Sequence, residues 1–351
     1  MITVLIVNDS ITVQHLLKRV IALDAELSLV GITHNGRDAI DQVKTLNPDV
    51  VLMDIRMPTM DGVEAVRRIM SESPCPILIV TATFMGHMAQ IYDCLGYGAL
   101  DVIKTPSLSG QELVAKIRSL AEFKKTIQKK KLPRAWSPEK QALNPSKGSP
   151  GKSAKRVVAI GASIGGPMAI LSILRDLSKD LPAAVVIVQH IDFEFAPGLA
   201  EWLQANGLIP VLTAQEGEIL LEGKAYLATA ADKNMTVAEN GKIRYQEPGA
   251  EFPIIPSIDV TFASIAEHYR EEAIGILLTG MGRDGAEGLK RLSQNGAVTL
   301  AQDEASSLIY GMPKAAQELG AAQEILPLER IGPRVRDLLG LTDPESRRKN
   351  S

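Results

Sequence analysis

The feature that most restricts how this chain can fold is a repeated alternation of short apolar runs with segments of helical period. In the first half the apolar runs are Ile2 to Val7, Leu27 to Ile32, Val50 to Met53, Ile77 to Val80 and Leu100 to Ile103. Helical patterns fall between them, as in Val13-Gln14-His15-Leu16-Leu17-Lys18-Arg19-Val20-Ile21. Strands that are apolar along their whole length need cover on both faces, so five βα units predict a parallel sheet between two helical layers.

The second half restarts with Val157-Val158-Ala159-Ile160 and continues with Val185-Val186-Ile187-Val188 and Ala273-Ile274-Gly275-Ile276-Leu277-Leu278. Asn240-Gly241, between Met235-Thr236-Val237 and Ile243-Arg244-Tyr245, predicts a β-hairpin. The expected fold class is α/β with two doubly wound parallel-sheet domains, the second Rossmann-like with the hairpin as an antiparallel excursion. A length of 351 residues agrees with two domains. Composition changes after about Glu122. The stretch Lys124 to Lys155 carries Lys129-Lys130-Lys131, several prolines and Ser146-Lys147-Gly148-Ser149-Pro150-Gly151, with little core-forming pattern. The expected boundaries are therefore 1–121 for the first domain, 122–154 for a linker, 155–340 for the second domain and 341–351 for a polar tail. The linker lysines read as solvated charge, with a docking surface as the functional alternative.

Bulk properties remove several classes of function. With 45% hydrophobic and 23% charged residues the composition is ordinary for a globular protein, and a formal net charge of -3 gives no support to nucleic-acid binding. Cys75 and Cys94 have neither metal-ligand spacing nor a disulfide role, which fits a reducing cytoplasm. The chain begins directly with a strand, so no signal peptide is expected, and no apolar run reaches membrane-spanning length.

One cluster of residues suits phosphoryl chemistry. Asp9 follows the first strand, Asp54 ends the third, Thr81 ends the fourth and Lys104 lies near the end of the fifth, all on one sheet edge. Carboxylates such as Asp9 and Asp54 bind a hard cation of the Mg²⁺ type, and a hydroxyl or ammonium helps neutralise a transferring phosphoryl group, with Asp54 as nucleophile. Helix capping is the bland role for Asp9. Together with Met53-Asp54-Ile55-Arg56-Met57-Pro58-Thr59-Met60-Asp61-Gly62, this order resembles the receiver domain of two-component response regulators over residues 1 to about 121. The resemblance implies phosphorylation of Asp54 by a sensor histidine kinase, Mg²⁺ dependence, and sensing by Thr81-Ala82. Two departures stand out. Asn8-Asp9 replaces the usual acid pair; the asparagine can offer a carbonyl oxygen but one negative charge less. In Lys104-Thr105-Pro106 an ungapped alignment puts Thr105 at the lysine position, so the lysine is either displaced by one residue or absent from the pocket.

A second cluster suits hydrolysis. Ser163 lies in a glycine-flanked turn, Gly161-Ala162-Ser163-Ile164-Gly165-Gly166, straight after an apolar strand. Of the five histidines, only His190 directly follows a strand in the second half, and Asp284 lies in the turn Thr279-Gly280-Met281-Gly282-Arg283-Asp284-Gly285. A serine nucleophile needs a histidine base and usually a carboxylate to orient it. Backbone N–H groups of the Gly280 to Gly282 turn could stabilise an oxyanion, each worth roughly 3 kcal/mol. Read singly, each residue also suits a turn or cap. Dinucleotide binding is disfavoured, because Gly161-x-x-x-Gly165-Gly166 is not G-x-G-x-x-G.

These pieces, with Val188-Gln189-His190, resemble the catalytic domain of the chemotaxis protein-glutamate methylesterase family over residues about 155 to 340. The resemblance implies Ser163 as nucleophile, His190 as general base, Asp284 as its orienting acid and the Met281 N–H in the oxyanion hole, with no cofactor for the esterase. It implies chemoreceptor glutamyl methyl esters as substrate, deamidation of receptor glutamines, a cytoplasmic location and release of inhibition by receiver phosphorylation. Ile164 stands where the family often has threonine, which removes a hydroxyl but keeps the N–H. A rival reading is a non-enzymatic switch in which the receiver controls a degenerate α/β interaction module. A transcriptional regulator ranks below both, since no compact helix-turn-helix pattern follows the linker.

Overall fold

The computed structural model describes residues 1–82, 87–105, 110–124, 152–249 and 254–341. The heart of the expected linker, the tail from 342 and Pro106 lie outside the described residues. The chain forms two compact units, 1–137 and 138–351.

In the first unit β1 (Ile2–Val7), α1 (Ile11–Ala22), β2 (Leu27–Thr33), α2 (Gly36–Leu46), β3 (Val50–Met53), α3 (Gly62–Glu72), β4 (Ile77–Thr81), α4 (Met88–Gly96), β5 (Asp101–Lys104) and α5 (Gln111–Ala121) alternate. The sheet is parallel, in the order β2-β1-β3-β4-β5. β3 and β4 are buried at every position, which is why their sequences are apolar without alternation. Ser10, Asn35 and Asp61 cap α1, α2 and α3 by accepting from the N–H of Val13, Asp38 and Glu64. The helix-cap role open to Asp9 thus falls to Ser10. β5 starts one residue later than the apolar run suggests, at Asp101, because Leu100 precedes the ladder that pairs Asp101 with Leu78.

In the second unit the order is β6 (Val157–Ala162), α6 (Gly166–Asp176), β7 (Ala184–Gln189), a 3-10 turn at Phe193–Phe195, α7 (Ala196–Asn206), β8 (Val211–Thr213), β9 (Ala225–Leu227), β10 (Asn234–Val237), β11 (Ile243–Gln246), α8 (Ile258–Tyr269), a second 3-10 turn at Arg270–Glu272, β12 (Ala273–Leu277), α9 (Ala286–Gln294), β13 (Val298–Gln302), α10 (Met312–Glu318), β14 (Glu324–Leu326) and α11 (Leu328–Leu338). Seven parallel strands run β14-β13-β12-β6-β7-β9-β8. The expected hairpin is present as β10 and β11, but its loop runs from Ala238 to Lys242, closed by the Ala238 N–H on the Lys242 carbonyl at 2.9 Å. Ordered packing also begins before residue 155: the Ala154 side chain is buried in the core, and Ser153 bridges to Leu221.

Both faces of the second sheet are covered, with Phe195, Tyr226 and Phe262 among the largest fully buried side chains. Burial of each apolar side chain of this kind contributes roughly 1.5–3 kcal/mol, which fixes the strands whose ends carry Ser163, His190 and the Thr279 to Asp284 turn.

Candidate functional site

In the first unit β1 lies between β2 and β3, so the strand order reverses there. Open α/β sheets bind ligands at that point, beyond the carboxyl ends of the strands. Asn8 and Asp9 leave β1 and Asp54 leaves β3 at this edge, with the Asp54 N–H on the Val7 carbonyl at 2.8 Å. Asn8 is buried, and its Oδ1 accepts from the Ser10 N–H at 2.8 Å while its Nδ2 donates to Asp54 Oδ2 at 3.0 Å. The Ser10 donor fixes which end of the amide is oxygen. Asn8 therefore turns an N–H toward Asp54, and its carbonyl oxygen is already engaged, contrary to the sequence expectation. Gln14 Nε2 secures the turn by donating to the Asn8 backbone carbonyl at 2.6 Å.

Burial pushes the Asp54 carboxyl above the ordinary carboxylate range, and the Asp9 charge adds to the push, against N–H donation by Ile55 and Arg56. That repulsion between Asp9 and Asp54 is what a divalent cation would relieve. Among the described residues no group of three or more His, Cys, Asp or Glu could hold a metal. Two carboxylates fit Mg²⁺, which keeps several waters and is commonly held by one or two carboxylates plus phosphate oxygens. Further along the edge, the Thr105 N–H donates to the Thr81 carbonyl at 2.8 Å. Lys104, the last residue of β5, is exposed. Thr105 Oγ1 is buried with no hydrogen-bond partner among the described residues. Successive strand side chains point to opposite faces, so the two residues do not share one direction.

In the second unit the order reverses at β6, which lies between β12 and β7. Ser163 follows β6, His190 follows β7, and Thr279 to Asp284 follow β12. The register pairs Ala162 with Gln189, and the His190 N–H reaches the Ala162 carbonyl at 3.0 Å, which sets Ser163 and His190 side by side at the end of the ladder. The Ser163 N–H donates to the Thr279 carbonyl at 3.0 Å, and Thr279 Oγ1 donates to the Ile164 carbonyl at 3.0 Å. This approach requires Gly280 to lack a side chain, since a Cβ there would stand 2.7 Å from the Ser163 Cβ.

His190 Nε2 lies 2.7 Å from Asp284 Oδ2. Asp284 also accepts from Ser257 Oγ at 3.0 Å and from the N–H groups of Ile258 at 2.7 Å and Asp259 at 3.1 Å. Ser257 is the N-cap of α8, so the carboxylate sits on the first turn of a helix, where orphan N–H groups and the helix dipole favour an anion. Burial alone would raise its pKa; donation by His190, the His190 charge and the two N–H groups hold it below the ordinary carboxylate range. The carboxylate is therefore an acceptor, which makes Nε2 the protonated ring nitrogen and leaves Nδ1 as the basic one. Asp259, beside Asp284, is pushed the other way by burial, although the Gly288 N–H donates to it at 2.6 Å.

The structure thus brings Ser163, His190 and Asp284 to one crevice. No hydrogen bond joins Ser163 Oγ to His190 among the described residues; catalytic hydrogen bonds are often long before substrate binds. Of the expected oxyanion donors, the Gly280 N–H is committed to the Ile309 carbonyl at 3.0 Å. Met281, the next residue, is 54% exposed at the crevice loop. No hydrogen bond engages the Ile164 N–H among the described residues. His268 is exposed on α8, away from this edge. Sequence reasoning missed Gln189, whose amide touches both turns, and Ser257, Ile258 and Asp259. The helix start at Ser257 is legible as a cap before an apolar periodic stretch, but its pairing with a carboxylate 27 residues away is not.

Comparison with known proteins identifies the family of each unit. The CheB methylesterase family profile matches residues 158–335, and the response regulator receiver domain profile matches residues 4–118. A Cupriavidus metallidurans protein named protein-glutamate methylesterase/protein-glutamine glutaminase 2 is 45% identical, over 94% of this chain and 96% of its own length. A Pseudomonas aeruginosa protein with the same name, numbered 3, is 42% identical over 95% of this chain and 98% of its own. The crystal structure of the Thermotoga maritima CheB methylesterase catalytic domain is 32% identical with a TM-score of 0.50, covering 54% of this chain and all of that domain. With the catalytic profile falling on the unit that holds Ser163, His190 and Asp284, and full-length relatives sharing both units, the chain belongs to the CheB methylesterase family and carries a response regulator receiver domain ahead of the catalytic one.

Proposed function

We propose that this chain is a phosphorylation-controlled carboxylic ester hydrolase that removes methyl groups from glutamyl methyl esters of chemoreceptors and also deamidates receptor glutamines. The observation that carries the reading is the His190–Asp284 pair beside the Ser163 turn, with the carboxylate buried. The relatives' double name, methylesterase and glutaminase, supports both activities. An ester and a primary amide pass through similar tetrahedral intermediates, so one site serves both.

In this reading His190 Nδ1 takes the Ser163 proton as Oγ attacks the ester carbonyl. The oxyanion is met by the N–H groups of Met281 and Ile164. Collapse expels methanol, which takes the proton back from Nδ1 and leaves an acyl-enzyme on Ser163. Water, deprotonated by Nδ1, then releases the glutamate carboxylate. Asp284 keeps the second proton on Nε2 and stabilises the imidazolium while it exists.

Asp54 is the proposed phosphoryl acceptor, with a sensor histidine kinase as donor. Asp9 and Asp54 would hold Mg²⁺, which when bound neutralises charge on the transferring group. Thr81, together with Lys104 or Thr105, completes the proposed pocket. Phosphorylation shifts the chain from a less active to a more active population. No helix among the described residues is long and apolar enough to cross a membrane. The proposed substrate, on the cytoplasmic helices of receptors, supports a cytoplasmic location.

Methanol release from methylated receptor, with and without a small-molecule phosphodonor, tests enzyme and switch together. The phosphodonor is expected to raise the rate, and the fragment from residue 152 is expected to exceed the unphosphorylated full chain. A fragment no faster than that chain overturns inhibition by the receiver, and no methanol at all overturns the esterase. Asn8→Asp addresses the pocket separately. Replacing the N–H donor by a carboxylate adds a charge beside Asp9 and Asp54, so Mg²⁺ binding by calorimetry should tighten about tenfold. One such factor corresponds to roughly 1.4 kcal/mol, a modest gain for an added carboxylate near a divalent ion. Unchanged affinity would show that Asn8 does not limit the site.

A further inference from the structure

Gln189 ends β7, is 2% exposed, and immediately precedes His190. Its Nε2 donates to the Ser163 backbone carbonyl at 2.8 Å and to the His190 backbone carbonyl at 3.1 Å. Both acceptors are carbonyl oxygens, so the orientation of the amide is fixed; flipped, Oε1 would face two oxygens. At the other end Oε1 is buried and has no hydrogen-bond partner among the described residues. It abuts Gly166, where any Cβ would collide with it and stand 2.9 Å from Gln189 Cδ.

A buried amide oxygen without a partner is a cost that packing alone does not require. Methionine would fill a similar volume without it. What glutamine adds is the two-pronged donor end. The parallel ladder aligns β6 and β7 only as far as Ala162 and Gln189. Past that point one turn heads into α6 and the other toward the 3-10 turn at Phe193–Phe195. The Gln189 amide spans the two turns where they begin to part.

We propose that Gln189 is a positioning residue of the esterase: by holding the backbone carbonyls of Ser163 and His190 on one nitrogen, it sets the reach from the nucleophile to its base. The inference rests on the assignment of those two residues under the proposed function. It touches neither substrate nor the reacting atoms, so its effect is expressed through their geometry.

The test uses the full chain with a phosphodonor and two variants, Gln189→Met and Gln189→Glu. Four quantities are measured: kcat and KM for methanol release, the rate of Ser163 labelling by a fluorophosphonate, and the melting temperature. Misplacement of a reacting pair by about 1 Å costs on the order of 100-fold, so Gln189→Met is expected to lose roughly 10- to 100-fold in kcat and in labelling rate, with KM within about twofold. Gln189→Glu supplies a signature that a packing role does not. Its neutral carboxyl still donates one hydrogen bond, whereas its carboxylate donates none and repels both carbonyls. Burial and the two oxygens raise the pKa of that introduced carboxyl, so the ratio of variant to parent kcat falls as pH rises through it. Gln189→Met has no such limb.

Parental kcat and labelling rate in Gln189→Met overturn the proposal, as does a ratio for Gln189→Glu that is flat with pH. A loss confined to melting temperature also overturns it, since it marks Gln189 as core only. If Gln189→Met does not fold, the pH limb of Gln189→Glu decides. If the parent itself releases no methanol, the functional reading falls, and the labelling rates still decide on Gln189.

Discussion

Ser163→Ala is expected to lower methanol release by roughly 10⁴- to 10⁶-fold, with the melting temperature of the catalytic unit nearly unchanged. Two observations separate the two effects. The Ser163 hydroxyl has no hydrogen-bond partner among the described residues, so its removal leaves no orphaned group. The bonds that hold the turn are made by its backbone: the N–H to Thr279 at 3.0 Å, and the carbonyl accepting from Gly166 at 2.8 Å and Gln189 at 2.8 Å. Alanine keeps all three. The measurement is methanol release from methylated receptor with a phosphodonor, beside thermal unfolding of the same samples. Activity that survives the change would return the second unit to the non-enzymatic reading, in which Ser163 is a turn residue.

Asp284→Asn is expected to cost on the order of 10⁴-fold in kcat, and unlike Ser163→Ala to lower stability as well. Four donors bind the carboxylate: His190 Nε2 and the Ile258 N–H on Oδ2, Ser257 Oγ and the Asp259 N–H on Oδ1. An asparagine must put its NH₂ against one of these pairs. Against Oδ2's partners, it donates to His190 Nε2 and drives the ring proton to Nδ1, the nitrogen that has to accept from Ser163. Against Oδ1's partners, it meets the Asp259 N–H head-on and leaves it unpaired, a loss of about 1–3 kcal/mol. The stability part has a pH signature. Because the Asp284 pKa is held below its ordinary 3.8, its contribution is complete above that value and disappears as pH falls through the depressed one. Denaturant unfolding of parent and variant should therefore differ at neutral pH and converge in acid. Equal stability at neutral pH would mean that α8 does not depend on this carboxylate for its first turn.

Much of the fold is legible in the sequence. The apolar runs of the first half match β1 to β5 almost residue for residue; β3 and β4, buried at every position, must be apolar throughout. The second half was harder. β8, β9 and β14 are three residues each, too short to show a period. The hairpin loop is longer than Asn240-Gly241 alone suggests, since the glycine at φ 74 closes a wider turn whose ladder ends at Val237 and Ile243. Ser153 and Ala154, in a stretch of turn-like composition, pack against Leu221 and the core, which composition alone does not signal.

The candidate site divides in the same way. Residue types at strand ends, Asp54 after β3, Ser163 after β6, His190 after β7, were readable because a doubly wound sheet delivers every strand end to one edge. Which strands are neighbours was not readable. β12 lies beside β6 although 116 residues separate their paired positions Ala273 and Val157, while β7, the next strand in the chain, takes the other side of β6. That choice rests on long-range packing, and it puts Thr279 beside Ser163 and Asp284 beside His190. The direction of the Asn8 amide, the helix terminus under Asp284 and the two-carbonyl grip of Gln189 were equally hidden. By itself the sequence determined two α/β units, the edge on which their chemistry lies and the residue types available there. The tertiary structure decided which atoms face each other, because hydrogen-bond direction depends on what the burial of remote segments leaves beside each polar group.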